Sequence, residues 1–435
     1  MPLDAGRRPQ RSAVEGDGAA LRIAVIGGGI SGLSTALALH GHARVTLFEA
    51  EPRLGGHART VIAGRRGDQP VDTGFIVFNH ATYPHLGRLF RELDVPVQRS
   101  DMSFGASLDG GRIEYALRDA RALFARPGNA LSPTFLRMLR DILRFNRAAE
   151  ATVTEGQSVG ALIDALGLGE GFRRLYIRPF CGAIWSMPDA EVDDFPATLL
   201  VRFFRNHGLL GMTGQHAWWT VGGGSRAYVD RLERRLASGG VALRTRAPVR
   251  GIARDAAGVT VATGAAGAVP ERFDQVVLAC HADQALRLLD QPDAAERRLL
   301  GAIRFRPNRA VLHADPARMP RRRACWSSWN ALAGTEQRTA SVTYWMNRLQ
   351  GLPEDDPLFV TLNPATPIPE ALVYDETVFR HPVLDRATLG AQQGLAAIQG
   401  ANRTWFAGAW LRNGFHEDGI ASALRVTRGL GIPAW

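Results

Sequence analysis

Lysine is absent from this chain. All 52 basic residues are arginines, spread along the whole length, and a GC-rich genome explains that spread more simply than nucleic-acid binding does. Cysteine is nearly as scarce: Cys181, Cys280 and Cys325 are odd in number and far apart, which gives neither a metal-ligand spacing nor a disulfide framework and fits a reducing cytoplasm. No apolar run approaches the ~18 residues of a membrane span. Residues 1–20 carry Arg7, Arg8 and Arg11 without an apolar core, so they read as a disordered tail and not as a signal peptide. What is present is ordinary for a globular protein: 435 residues, 46% hydrophobic and 22% charged, enough for two domains. The net charge of +10 adds attraction to anionic membrane surfaces or acidic substrates.

The most informative stretch is Arg22 to Gly32. Its apolar run, Ile23 to Ile26, has the composition of a buried parallel strand and leads directly into Gly27, Gly29 and Gly32 in G-x-G-x-x-G spacing, then into a helical pattern from Leu33 to His40. Strand, tight turn and helix in that order make a dinucleotide site. Gly27 permits the turn, Gly29 lets backbone approach a pyrophosphate, and Gly32 lets helix pack closely on strand. The free N–H groups at the helix start, those of Ile30 and Ser31 among them, receive the phosphate charge. A second apolar run ends in Glu49, seventeen positions beyond Gly32, where a carboxylate accepts the ribose hydroxyls of an adenosine.

Beyond Glu49 and Ala50 the chain reads Arg53-Leu54-Gly55-Gly56-His57. An acid closing the second strand followed by R-x-G-G resembles the FAD-binding signature of the flavin amine oxidase and phytoene desaturase superfamily. The resemblance implies that Gly55 and Gly56 lie under the pyrophosphate and ribityl chain, and it departs from the family at His57, where arginine is usual. Val71 to Ile76 resembles the next segment of that family, in which Thr73, Gly74, Phe75 and Ile76 pass the isoalloxazine ring. Val249 is implied to meet the adenine through its backbone; as a residue it is simply a strand valine. At the other end Thr404 to Gly408, then Gly414 to Ala423, resemble the C-terminal flavin motif, where a helix start carrying Glu417, Asp418, Gly419 and Ile420 points at the pyrimidine end of the ring. The family places a ribityl-binding acid two positions after the glycine matching Gly408, and this chain has Trp410 there.

The resemblance covers nearly all of residues 21–432 and implies an α/β architecture. In it a Rossmann-like FAD-binding domain of the glutathione-reductase type (21–85, 220–285, 401–435) carries an inserted α+β substrate domain (86–219, 286–400) with helices and an antiparallel sheet. The flavin is expected to be noncovalent, because no cysteine sits in an attachment motif. The glycine turn at 222–224 stops short of a second fingerprint at Ala227, so oxygen or a quinone is the expected acceptor and not a nicotinamide. Amine oxidases use a flavin-side lysine, and here there is none. His416 falls where amine oxidases place one wall of an aromatic cage, and a histidine there acts as acid or base near neutral pH. Tyr83, His216, Trp219 and Trp410 are substrate-side candidates. The wording of D-T-G-F-I-V-F-N and W-W-T-V-G-G-G-S-R is similar to bacterial FAD-binding oxidoreductases whose genes accompany cyclopropane-fatty-acid-synthase-like methyltransferases. That implies a cytoplasmic, lipid-directed desaturase of a methyl-branched acyl chain, with peripheral contact at the inner membrane face through Phe203 to Arg205 and Leu209 to Met212. An amine or carotenoid-type oxidase, a flavin isomerase and a non-catalytic nucleotide-binding protein stay open. No metal is expected.

Overall fold

Strand β1 (Arg22–Ile26) is apolar on both sides because it is covered on both sides, and its residues alternate between two cores. It lies at the centre of a five-stranded parallel sheet with β2 (Arg44–Phe48), β10 (Ala242–Arg244), β14 (Gln275–Leu278) and β20 (Thr404–Phe406), in the order β10-β2-β1-β14-β20. The computed structural model describes residues 20–433 except 186, 212–215, 265, 266, 268 and 335–340. All but the last residue of the expected tail, and Met212 of the expected membrane contact, therefore lie outside the described residues.

Ile23 and Val25 point to one face, where α1 (Ile30–Leu39), α5 (Arg226–Ser238) and α6 (His416–Gly429) pack through Leu33, Leu232 and Ile420. Ala24 and Ile26 point to the other, against a small antiparallel sheet of β11 (Val249–Asp255), β12 (Gly258–Thr263) and β13 (Glu271–Phe273). This is the Rossmann-like layering that the glycine fingerprint predicts. The stretch from β13 to β14 is not one continuous strand. The chain turns at Asp274, whose carboxylate accepts the Arg22 N–H (2.7 Å), so β13 and β14 serve different sheets.

Residues 60–116 supply β3 (Thr60–Ala63), β4 (Gln69–Asp72), β5 (Val77–Asn79), α2 (Pro84–Glu92), β6 (Val97–Ser100), β7 (Phe104–Leu108) and β8 (Ile113–Ala116). Leu86, Leu89 and Phe90 of α2 share a core with Tyr228 of α5, so the expected division at 85/86 falls inside one packed cluster. The substrate side is built on a seven-stranded sheet, β19-β15-β18-β17-β16-β7-β8, formed by β7 and β8 with β15 (Phe305–His313), β16 (Trp329–Leu332), β17 (Ser341–Trp345), β18 (Phe359–Leu362) and β19 (Val373–Pro382). The expected antiparallel sheet needs one correction: β7 and β16 run parallel. They come from opposite halves of the chain, and their pairing joins two hairpin systems that are each antiparallel. The helix Arg178–Trp185 packs directly on this sheet, against β16 and β17, and α3 (Pro133–Thr152) and α4 (Ala197–Asn206) pack on each other beside it, with Phe145, Phe172 and Phe204 fully buried. No described helix is long and apolar enough to cross a membrane.

Candidate flavin site

Three separated segments converge at the carboxyl ends of the parallel sheet, where ligands bind in such folds. The first is the glycine loop. Gly29 opens α1 with no side-chain cap, and no acidic residue occupies the first turn. The first N–H of α1 to find a backbone acceptor there is that of Leu33, on Gly29 (2.9 Å). An uncapped helix start beside a strand end is an anion site. The second segment is the diglycine turn. Gly55 N–H donates to Gly28 (2.8 Å), and a Cβ on Gly56 would come within 3.1 Å of the Gly29 Cα, so the two loops meet as bare backbone and leave a groove walled by peptide alone. Glu49 stands at its edge, half-buried, accepting the N–H groups of Gly28 (2.6 Å) and Glu51 (2.8 Å), with lone pairs left for a ribose. Backbone cradle, helix dipole and carboxylate together fit an adenine dinucleotide.

Arg53 lies behind this groove. Its guanidinium donates to the carbonyls of Ala58 (3.1 Å) and Gly56 (3.0 Å), and so holds the turn from the side away from the loop. Ala50 is exposed at the rim. The Thr73 to Ile76 segment is zipped beside the turn: Thr73 N–H donates to Arg59 (2.9 Å) and Phe75 N–H to His57 (2.8 Å), and a Cβ on Gly74 would lie 2.1 Å from the His57 carbonyl. Val249 opens β11 on the opposite face of the parallel sheet, half-buried.

The C-terminal segment arrives across α1. A Cβ on Gly419 would meet Ile30 at 2.8 Å and Ser31 at 2.9 Å, so α6 crosses α1 at its first turn and two helix N-termini lie side by side. Ile420 is fully buried at that crossing. The acidic side chains of the motif are spent on caps. Glu417 accepts the His85 and Leu86 N–H groups (3.0 Å each), closing the start of α2, and Asp418 accepts Phe415 N–H (3.1 Å) at the start of its own helix. Burial raises both carboxyls, Asp418 to about 6. Gly408 N–H donates to Ser422 Oγ (2.9 Å). Trp410 is core: it is 3% exposed, and its indole donates to the Cys280 carbonyl (3.0 Å).

His416 is clamped. Its ring stacks on Phe75 (3.9 Å) and its Nε2 shares a hydrogen bond with the Tyr228 hydroxyl (3.1 Å). The expected titration near neutral pH does not hold, since burial lowers the imidazole to about 3. At pH 7 it is a neutral ring.

Two histidines that sequence reasoning did not single out complete the site. His281 follows β14 and His381 lies near the end of β19, and they gather around His57 at ring separations of 6.1 Å and 5.5 Å. His57 stacks on Phe379 (4.8 Å) and His281 on Phe305 (4.3 Å). Burial lowers His281 and His381 to about 4 and takes His57 well below its ordinary value, with the neighbouring imidazoles adding to the shift. Three neutral imidazoles thus stand where the cofactor loops meet the substrate sheet. No local pattern announces them, because they come from three segments far apart in the chain.

The substrate candidates separate. Tyr83 lines a cavity of about 100 Å³ between α4 and the start of α6, with Leu199, Phe203, Leu384 and Phe415 as apolar wall and Arg202 and Arg412 at its polar end. Trp219 lies elsewhere, under the Arg99 guanidinium (4.6 Å) and beside His80. His216 is half-buried and does not line that cavity, and neither does Trp410.

The model of the flavin containing amine oxidoreductase family matches residues 30–356. Among solved structures the fold is similar to the CLA-producing fatty acid isomerase from P. acnes, with 14% identity, a TM-score of 0.67, and 94% of this chain and 98% of that chain covered. It is also similar to cyclohexylamine oxidase from Brevibacterium oxydans IH-35A (17%, 0.67, 95% and 100%) and to wild-type putrescine oxidase bound to putrescine (16%, 0.64, 94% and 98%). No curated protein gives a match.

Proposed function

The chain belongs to the flavin-containing amine oxidoreductases and is an FAD-dependent oxidoreductase; from that premise we propose that it desaturates an apolar acyl chain. One observation carries the choice of substrate. The cavity beside α6 has an apolar wall and two arginines, of which Arg412 faces Asp418 (3.7 Å) and Arg202 is left for an anionic group, while the carboxylates bordering it, Glu417 and Asp418, are occupied as helix caps. An ammonium substrate would need a free carboxylate or a lysine-assisted site, and an acyl chain with an anionic end needs what is there. The fold shared with a fatty acid isomerase fits the same reading.

In this reading the glycine loop and Glu49 hold the adenosine diphosphate portion, and the start of α6 places its positive end at the ring. FAD supplies a two-electron acceptor, so that a CH2–CH2 unit gives up two electrons and two protons to become CH=CH, and oxygen or a quinone takes the electrons onward. His57, His281 and His381 exclude charge from the junction and act as neutral hydrogen-bonding groups. His381 accepts the Asn308 amide at Nδ1 (3.0 Å), which leaves its proton on Nε2. We place the protein in the cytoplasm, in peripheral contact with the membrane.

Anaerobic addition of a saturated or methyl-branched acyl substrate should bleach the visible flavin absorbance and leave a product two mass units lighter. Bleaching by amines alone would overturn the proposal in favour of amine oxidation. The flavin is proposed to be noncovalent: burial raises the Cys280 thiol to about 12 and that of Cys325 to about 11, so neither offers a thiolate for attachment. Acid precipitation should leave the yellow colour in the supernatant, whereas a coloured pellet would show a covalent bond.

A further inference from the structure

Helix α3 carries two unlike faces. Its inner face, Phe135, Met138, Phe145 and Ala149, is buried in the substrate-side core. Its outer face repeats leucine and arginine at helical spacing, Leu136, Arg140, Leu143 and Arg147, with Arg137 and Arg144 alongside. The loop leading into it exposes 85% of Leu131, next to Leu136 at 44%, and Leu117 is 39% exposed at the end of β8. Residues 117–147 contain seven arginines and two acids. Asp141 is fully buried and paired with Arg137 (3.8 Å) and Arg140 (3.3 Å), and Asp119 is tied to Arg118 (2.8 Å) and to the Ala122 N–H (2.7 Å); Arg144 and Arg147 stand outside these pairs, so the charge left over on this face is positive. At the far end of the helix Glu150 is paired with Arg205 (3.2 Å).

We propose that this face, α3 with the loop before it, docks on an anionic lipid bilayer. Leucines standing clear of the protein among arginines suit the boundary between headgroups and acyl chains, whereas a nucleic-acid phosphate track gains nothing from a leucine in solvent. The membrane contact expected from sequence lay on α4, but there Phe204 is fully buried and packs on Phe145 of α3 (5.6 Å). Helix α4, which packs against the inner face of α3, lines the acyl cavity with Leu199, Arg202 and Phe203. The proposal deepens the acyl-chain reading and rests on it only for the purpose of docking; adsorption itself is measured without turnover.

The test is co-sedimentation of the flavin-loaded full chain with vesicles of phosphatidylcholine alone, or of phosphatidylcholine with phosphatidylglycerol, at roughly 0.1 M salt. The protein should pellet with the anionic vesicles only. Arg144→Gln/Arg147→Gln should weaken that binding about tenfold or more, and Leu131→Ser/Leu136→Ser should weaken it as well, with melting temperatures unchanged because the altered side chains are solvent-facing. No pelleting with anionic vesicles, or equal binding by both double variants, would overturn the proposal. So would a wild-type dimer that Leu131→Ser/Leu136→Ser converts to monomer, which would assign the face to a second copy of this chain. Failure here leaves the anaerobic bleaching result untouched.

Discussion

Gly32→Ala is expected to strip the protein of FAD. A Cβ at that position would stand 1.8 Å from the Gly27 carbonyl oxygen and 3.3 Å from the Ala279 Cβ, and the first of these partners is backbone that cannot rotate away. Relief requires α1 to lift from β1 or the Gly27 turn to open, and either movement pulls the uncapped start of α1 away from the groove it forms with Gly55 and Gly56. Overpacking against fixed backbone costs on the order of 3 kcal/mol, equivalent to about 100-fold in cofactor affinity. The protein should purify colourless or with a small fraction of wild-type flavin, read from its visible absorbance against its protein content. Gly390→Ala is the matched control. It places the same methyl group where nothing lies within 4 Å, inside a regular helix, and should keep full flavin. Wild-type flavin content in Gly32→Ala would mean that the cofactor is held somewhere other than this loop.

The contrast between those two glycines also marks what was legible in the sequence. Elements whose cause is local are legible directly: β1, the glycine turn and α1, and the strand and helix of the C-terminal motif. Roles that depend on which distant segment arrives were not legible. Glu417 looks like a flavin-motif acid until α2 presents two free N–H groups to it. His381 is one residue in an edge strand until β19 brings it against the diglycine turn. The parallel pairing of β7 with β16 follows from a chain path that leaves and re-enters the domain, and no periodicity encodes it. The motif places His416, but not its proton affinity, because burial outweighs the ordinary tendency of an imidazole to titrate near neutrality.

Asp72 is where the cofactor loops and the substrate sheet are locked together, and removing it should have the largest effect on stability. Its carboxylate is fully buried and accepts from Thr60 Oγ1 (2.6 Å), Ser225 N–H (2.8 Å), Ser225 Oγ (2.7 Å) and Gln350 Nε2 (3.1 Å). Its own N–H donates to Gln350 Oε1 (2.8 Å). The group therefore ties β4, the start of α5 and the short helix Met346–Gln350 into one unit. Asp72→Ala leaves four buried donors without an acceptor, for a loss of about 4 kcal/mol or more. Asp72→Asn is milder, about 2 kcal/mol, but it turns an NH2 toward Gln350 Nε2, and flipping Gln350 would break its bond to the Asp72 N–H. Burial raises the Asp72 carboxyl from 3.8 to about 6. A folded value above the unfolded one means that the native state holds the proton longer, so stability from this group is greatest below 3.8 and declines as pH rises through 6. Between pH 5 and pH 7 wild type should lose about 1 kcal/mol that Asp72→Ala does not, so the cost of the substitution in urea unfolding should be larger at pH 5 than at pH 7. A cost that is the same at both values would show that the hydrogen bonds to Asp72 outweigh its burial and hold the carboxylate ionised throughout this range.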